Sequence, residues 1–334
     1  MTAQTNIFTF DNSTQKKINW FSNSIGIYLA STNIGIIAVD SKEKKECKNI
    51  YLIDSGPDEK FALEFYEELK KEFSDFCVKA IIDTHSHADH CGANKKLSEL
   101  TGCKILATHM EKSGIECTLN QSSIAYGGYP LPEYRTPFYE AVISIVDQTI
   151  SSDHVFELND DVRLECIPLP GHYFEMIGIL CKEKTDGKTT TVFFTSDGIF
   201  TRSMLSRFWI PFVFDVGHFK ESLLKISETK ADYYVPSHGE IYTEIKTLYE
   251  FNMLSLIENE DCILECLKKS PSTHEDILKY VADKNNIPLR LSQFMLVGST
   301  LRSYLTYLYE QERITWTFRE NKMYWKIKNK SPEN

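Results

Sequence analysis

"THSHADH", residues 84–90, brings three histidines and an aspartate into seven positions of a chain with nine histidines in 334 residues. A His-x-His-x-Asp-His pattern arises by chance at a given position about once in a million, so the stretch reads as a ligand cluster rather than a polar loop. It directly follows "VKAIID" (78–83), an apolar, β-branched run of the kind that forms a buried strand. The cluster therefore sits where a strand ends, on a backbone held by a sheet with its side chains free at the rim.

Upstream, "IGIYLA" (25–30), "IGIIAVD" (34–40) and "NIYLIDSG" (49–56) are short β-type runs, and "EKFALEFYEELKKEFSDF" (59–76) repeats its apolar residues at helical spacing. Downstream come a helix over "GANKKLSEL" (92–100) and a strand over "CKILAT" (103–108), then an aromatic-rich segment to about residue 153. Strands return in "VRLECIPL", "IGILC", "TTVFFTSD" and "DYYVPS". Alternating strands and helices predict an α/β layered fold with its site in the loops at one sheet edge.

Three more candidate ligands stand at strand ends: His172 in "PLPGHYFE", Asp197 in "VFFTSDGIF" and His238 in "YYVPSHGE". With His85, His87, Asp89 and His90 they make five imidazoles and two carboxylates. Such donors suit zinc, iron or manganese, and seven exceed what one tetrahedral ion uses. The count predicts two divalent metal ions sharing a bridge, with zinc the first choice.

On T-H-S-H-A-D-H and the downstream G-H, S-D-G and S-H-G, the chain resembles the metallo-β-lactamase fold hydrolases, and within them the branch of glyoxalase II and ribonuclease Z. The resemblance spans roughly residues 20–245 and implies an αββα sandwich. It implies that His85, His87 and His172 hold one metal, that Asp89, His90 and His238 hold the other, and that Asp197 bridges them. Asp54 in "YLIDSG" would support the ligand loop from behind, since a ligating imidazole needs its other nitrogen hydrogen-bonded. Two ions hold a water, lower its pKa towards neutrality and polarise the group it attacks, which leaves Asp89 to orient that water or take its proton. The reaction expected is hydrolysis of a small ester, thioester or lactone.

After the G-H, where the family commonly carries Thr-Pro-Gly, this chain has Tyr173, Phe174 and Glu175, which predicts a bulkier wall beside the first metal. The stretch "GGYPLPEYRTPFYEAV" (127–142), within an insertion over about 110–153, reads as a lid. Tyr126, Tyr129, Tyr134, Arg135 and Tyr139 are candidates to stack on or clamp a substrate, with Tyr134 and Tyr173 taken as substrate-binding; covering a hydrophobic patch or forming a subunit contact in a homodimer is the competing use. Cys91 and the i, i+4 pair Cys262 and Cys266 read as core, and His109 as structural.

A catalytic domain is expected over 1–254 and a small one over 255–334. In the latter, helices over "ENEDCILECLKK", "SPSTHEDILKYVADK" (opening on a Ser272–Glu275 capping box) and "STLRSYLTYLYEQERI" precede a hairpin of "ITWTF" and "MYWKI", a pattern resembling a winged helix. Winged helices often bind nucleic acid, yet this part carries twelve Lys/Arg against eleven Asp/Glu, and only Arg319, Lys322, Lys326, Lys328 and Lys330 are locally basic. That balance is weak for a phosphate footprint. The net charge of −10 likewise disfavours a nucleic-acid-coating surface. A small-molecule hydrolase is thus preferred to a ribonuclease or phosphodiesterase acting on RNA, with an iron-dependent redox enzyme third. Nine scattered cysteines without a C-x-x-C pair, no signal-type start and no long apolar run read as a soluble cytoplasmic protein away from membranes.

Overall fold

The structure is a computed structural model that describes residues 6–10 and 17–328. Two seven-stranded sheets face each other. One runs, in spatial order, β1 (Ile7–Phe8), β14 (Ile241–Tyr242), β13 (Tyr233–Pro236), β12 (Lys188–Ser196), β11 (Ile177–Thr185), β10 (Val162–Pro168) and β9 (Val155–Glu157). The other follows chain order: β2 (Ile18–Trp20), β3 (Ile25–Tyr28), β4 (Ile34–Asp40), β5 (Lys48–Ile53), β6 (Phe76–Ile82), β7 (Lys104–Ala107) and β8 (Gln148–Thr149).

"IGIIAVD" is apolar nearly throughout because β4 is covered on both sides. Successive side chains point to opposite faces, so Ile37 and Val39 enter the core between the sheets, while Ile34, Ile36 and Ala38 enter the core beneath the outer helices. The inner core takes Ile53 and Ile82 from one sheet and Ile179, Val192 and Phe194 from the other. Outside the second sheet lie α1 (Glu59–Glu72) and α3 (Asn94–Thr101), which pack on each other. Asp58 starts α1 by accepting the Phe61 N–H at 2.8 Å. Outside the first sheet lie α7 (Val216–Glu228) and α8 (Lys246–Lys269). The result is the expected α/β/β/α layering. Among the described residues no helix is long and apolar enough to cross a membrane.

Helix α8 is unbroken through residues 254 and 255, so the expected domain division falls inside it. Beyond it come α9 (His274–Lys284), α10 (Leu291–Glu310), β15 (Ile314–Arg319) and β16 (Lys322–Ile327). The expected capping box is displaced by one residue. Ser272 is held to the hairpin by two backbone bonds with Trp325, at 3.0 and 2.9 Å, so Thr273 caps α9 and Asp276 completes the box. Helix α10 begins eight residues before the expected start, at Leu291, and runs through Gly298, a poor helix former that conceals its continuity. Lys330 lies outside the described residues.

One continuous core joins Phe193, Phe219 and Leu223 of the sandwich to Ile263, Leu267, Leu278, Leu301 and Leu305. A cavity at the fully buried Leu301 therefore loosens both parts. Leu301→Ala is expected to cost about 2–5 kcal/mol and to shift urea unfolding of α7, α8 and the C-terminal helices together. Separate transitions for the two parts, seen by tryptophan fluorescence and circular dichroism, would count against this shared core.

Candidate metal centre

The seven candidate ligands converge because the strands carrying them end on the same edge of the sandwich. The cluster 84–90 leaves β6 and passes into α2 (Ala88–Cys91). At the end of β12 the pairing with β13 shifts register between Phe194 and Ser196, and Ser196 takes φ 52°, so the strand bends where Asp197 begins. His172 follows Gly171, at φ 122°, where a Cβ would stand 2.2 Å from the Phe219 N atom. Only glycine lets this loop press onto α7. His238 leaves the end of β13.

His85 Nε2 and His172 Nε2 each stand 3.0 Å from His87 Nδ1. These three atoms form one group within metal-binding reach; Asp89, His90 and His238 form a second; His85, His90 and Asp197 a third. Asp197 lies between the first two groups: its Oδ2 is 3.4 Å from His172 Nε2 and 3.8 Å from His90 Nε2, and its Oδ1 is 3.5 Å from His238 Nε2. Asp89 Oδ2 is 3.3 Å from His238 Nε2.

The far sides of the rings are fixed. His172 Nδ1 donates to the Phe212 carbonyl at 2.9 Å, His238 Nδ1 to the Ser31 carbonyl at 2.6 Å, and His90 Nδ1 to Asp54 Oδ2 at 2.8 Å. With each Nδ1 committed there, Nε2 is the nitrogen that faces the cluster and that a metal would take in place of a proton. Asp54, at φ 61° after β5, also accepts the Thr84 N–H at 2.7 Å and the Thr84 hydroxyl at 2.9 Å.

Electrostatics fit a cation. Burial and neighbouring imidazoles push His85 below its ordinary range; burial does the same to His172 and takes His87 down to about 3. All three are neutral donors. Burial opposes charge on His90 and His238, but Asp54, Asp89 and Asp197 outweigh it around His90, and Asp197 and Asp89 around His238, raising them to about 10 and about 11. Burial is likewise overcome at Asp197 and Asp89, whose carboxylates His90 and His238 hold below their usual range. His90 Nε2 is buried with no hydrogen-bond partner among the described residues. Neutral imidazoles, ionised carboxylates and an unpartnered nitrogen facing one spot are the donor set of a divalent metal site.

Glu111, which the sequence reading passed over, ties the ligand loops together. One of its oxygens accepts the Ser86 N–H at 2.9 Å and the Ser86 hydroxyl at 2.7 Å, and the other accepts the Glu175 N–H at 2.8 Å. Glu111 lies on α4 (His109–Glu116); Gln121, on α5 (Leu119–Tyr126), donates to the Ser86 carbonyl at 2.9 Å. Part of the expected lid is thus a brace. Burial pushes the Glu111 carboxyl up to about 7.

Tyr173 packs on His87, ring centroids 4.5 Å apart, and borders the cavity above the cluster. Tyr134 does not: it is buried against Tyr139, centroids 4.1 Å apart, and it is Tyr139 that reaches the cavity. The turn at Pro132 folds Tyr134 inward, which composition could not show. Arg135 is bound to Glu140 and to the Tyr129 hydroxyl. Cys91 is buried with Sγ 3.4 Å from the Ser86 carbonyl, Cys262 and Cys266 are buried, and His109 is exposed at the start of α4.

A sequence profile for the metallo-β-lactamase superfamily matches residues 43–238. No curated protein matches the chain in sequence. Among solved structures, a β-lactamase domain protein from Burkholderia ambifaria is similar over 93% of this chain and 94% of its own, at 13% identity and TM-score 0.71. A metallo-β-lactamase family protein from Thermus thermophilus is similar over 90% and 94%, at 14% identity and TM-score 0.64. A class B3 di-zinc metallo-β-lactamase from an Alaskan soil metagenome is similar over 76% and 97%, at 17% identity and TM-score 0.51. At these identities the likeness is one of fold.

Proposed function

The chain belongs to the metallo-β-lactamase superfamily, and from that premise we propose that it is a dinuclear, zinc-dependent hydrolase of a small ester, thioester or lactone, nearest in kind to the glyoxalase II and ribonuclease Z branch. The observation that carries this reading is the convergence of His85 Nε2, His87 Nδ1 and His172 Nε2 beside Asp89, His90 and His238, with Asp197 between the groups. His85, His87 and His172 would hold one ion, Asp89, His90 and His238 the other, and Asp197 both. When bound, the ions lower the pKa of a water between them and polarise the carbonyl it attacks.

The chain's own groups supply the rest. Asp89 borders the cavity, 3.3 Å from His238 Nε2, where it would orient the attacking water or take its proton on the way to the leaving group. The water oxygen bonds to the acyl carbon, the bond from that carbon to the leaving oxygen or sulfur breaks, and the leaving group departs with a proton from the water. Tyr173 and Phe212 keep bulk water from the His87 side.

The RNA reading has less support, because among the described residues no lysine or arginine lines the cavity and Lys328 of the hairpin is paired with Glu312 at 2.9 Å. The three helices and hairpin are read as a winged-helix-like unit that closes the site rather than one that binds nucleic acid.

Zinc-loaded protein, dialysed and assayed by elemental analysis, is expected to hold close to two ions per chain, and chelation is expected to abolish hydrolysis of simple esters and thioesters. Full hydrolytic activity in a demonstrably zinc-free preparation would defeat the proposal.

A further inference from the structure

The cavity over the cluster measures about 290 Å³, at the lower edge of small-molecule sites. Its floor is His87, Asp89, His172, Asp197 and His238, and apart from these five its lining carries no charged side chain among the described residues. One wall is apolar and comes from α6 (Arg202–Arg207) and the segment that leads from it to α7, with Met204, Phe208, Ile210 and Phe212; the insertion adds Ile124, Phe138 and Tyr139. The remaining wall is one face of α10, formed by Ser292, Gln293, Leu296 and Val297 at i, i+1, i+4 and i+5.

That wall is fixed relative to the cluster. The Thr300 hydroxyl accepts the Val213 N–H at 3.2 Å, and the Ser303 hydroxyl donates to the Phe214 carbonyl at 2.6 Å. The same short segment provides the Phe212 carbonyl that orients His172. Helix α5 also packs against α10. The wall is thus tied to the same segment, residues 212–214, that orients a candidate ligand, so a side chain on it has a defined distance from the chemistry.

We propose that the N-terminal half of α10 determines specificity, and that the site accepts an uncharged acyl substrate whose apolar acyl group runs from the cluster towards Leu296 and Val297. This rests on the hydrolase reading above. A carboxylate or phosphate on the acyl arm would be buried against side chains that offer it no cation, an uncompensated desolvation. An alkyl or aryl arm instead gains with each methylene it places against Phe208, Ile210 and Leu296.

The test uses the full, zinc-loaded chain and 4-nitrophenyl esters. In the unmodified protein kcat/KM should rise from acetate to octanoate, and valerate should exceed its carboxylate-ended counterpart, hemiglutarate, by about a hundredfold or more. Leu296→Trp should lower the octanoate-to-acetate ratio by about tenfold, Val297→Ala should raise it, and Leu296→Lys should narrow the gap between hemiglutarate and valerate. Zinc content and circular dichroism report whether each variant folds; if Leu296→Trp does not, the ratios in the unmodified chain and in Val297→Ala decide. Esters cleaved without regard to acyl length, or hemiglutarate cleaved as well as valerate, overturn this inference and leave the hydrolase reading standing. No turnover of any ester, thioester or lactone by protein that holds its zinc overturns both.

Discussion

Replacing Asp197 with alanine is expected to take bound zinc from about two ions per chain to fewer than one, and to lower ester turnover by at least about a hundredfold. The position explains the size of the effect. Asp197 has one oxygen towards His172 and His90 and the other towards His238, so among the described residues it is the carboxylate that touches both proposed ligand groups. Without it, two divalent charges would share a buried corner with Asp89 as the remaining ligand anion, and each ion would weaken the other's hold. Alanine also leaves a space of carboxylate size beside His90 Nε2, which is already unpartnered among the described residues. Elemental analysis after dialysis and initial rates on a 4-nitrophenyl ester are the measurements, with Asp197→Asn as the variant that keeps shape without charge. Retention of both ions at the unmodified rate would remove Asp197 from the bridging role.

The candidate donor residues were legible in the sequence because each stands just after an apolar run, and strand ends are where a sheet presents side chains. Their convergence needed the topology: β6 and β12 belong to different sheets, and no local pattern says that His85 and Asp197 share an edge. Glu111 was illegible for a related reason. It lies in a short helix among polar residues, and its three accepted hydrogen bonds go to Ser86 and Glu175, 25 and 64 positions away. The signal that could have found it is an acid directly after a strand in a stretch that must cross the ligand loop. Tyr134 misled because composition marks an aromatic segment without saying which ring turns inward. The wall from α10 was hidden twice over, by Gly298 inside the helix, which reads as a break, and by the assumption that residues past 254 form a separate unit. Core residues such as Leu301 and Leu305 show no such separation.

Asp54→Asn is expected to weaken zinc binding at the proposed site of Asp89, His90 and His238 by about 10- to 100-fold while leaving the proposed site of His85, His87 and His172 intact. The side chain keeps its size, and its remaining oxygen can still accept the Thr84 N–H that Asp54 accepts now at 2.7 Å. The change is at the second oxygen, which takes the Thr84 hydroxyl at 2.9 Å and His90 Nδ1 at 2.8 Å. An amide nitrogen there donates instead of accepting. His90 must then present Nδ1 as an acceptor and carry its proton on Nε2, the atom that faces Asp197. A protonated Nε2 has no lone pair to give a metal, so the ring sits in place in the wrong tautomer. The expected pattern in a zinc titration is one tight and one weak site, with turnover falling in step with loss of the weak one. Asp54→Ala separates tautomer from mere loss of a bond: it frees His90 to choose either tautomer, so it should harm the second site less than Asp54→Asn does, even though it removes more atoms. Equal zinc affinity at both sites in Asp54→Asn, or a larger loss in Asp54→Ala with Asp54→Asn close to the unmodified chain, would show that Asp54 acts through packing and not through the proton on His90.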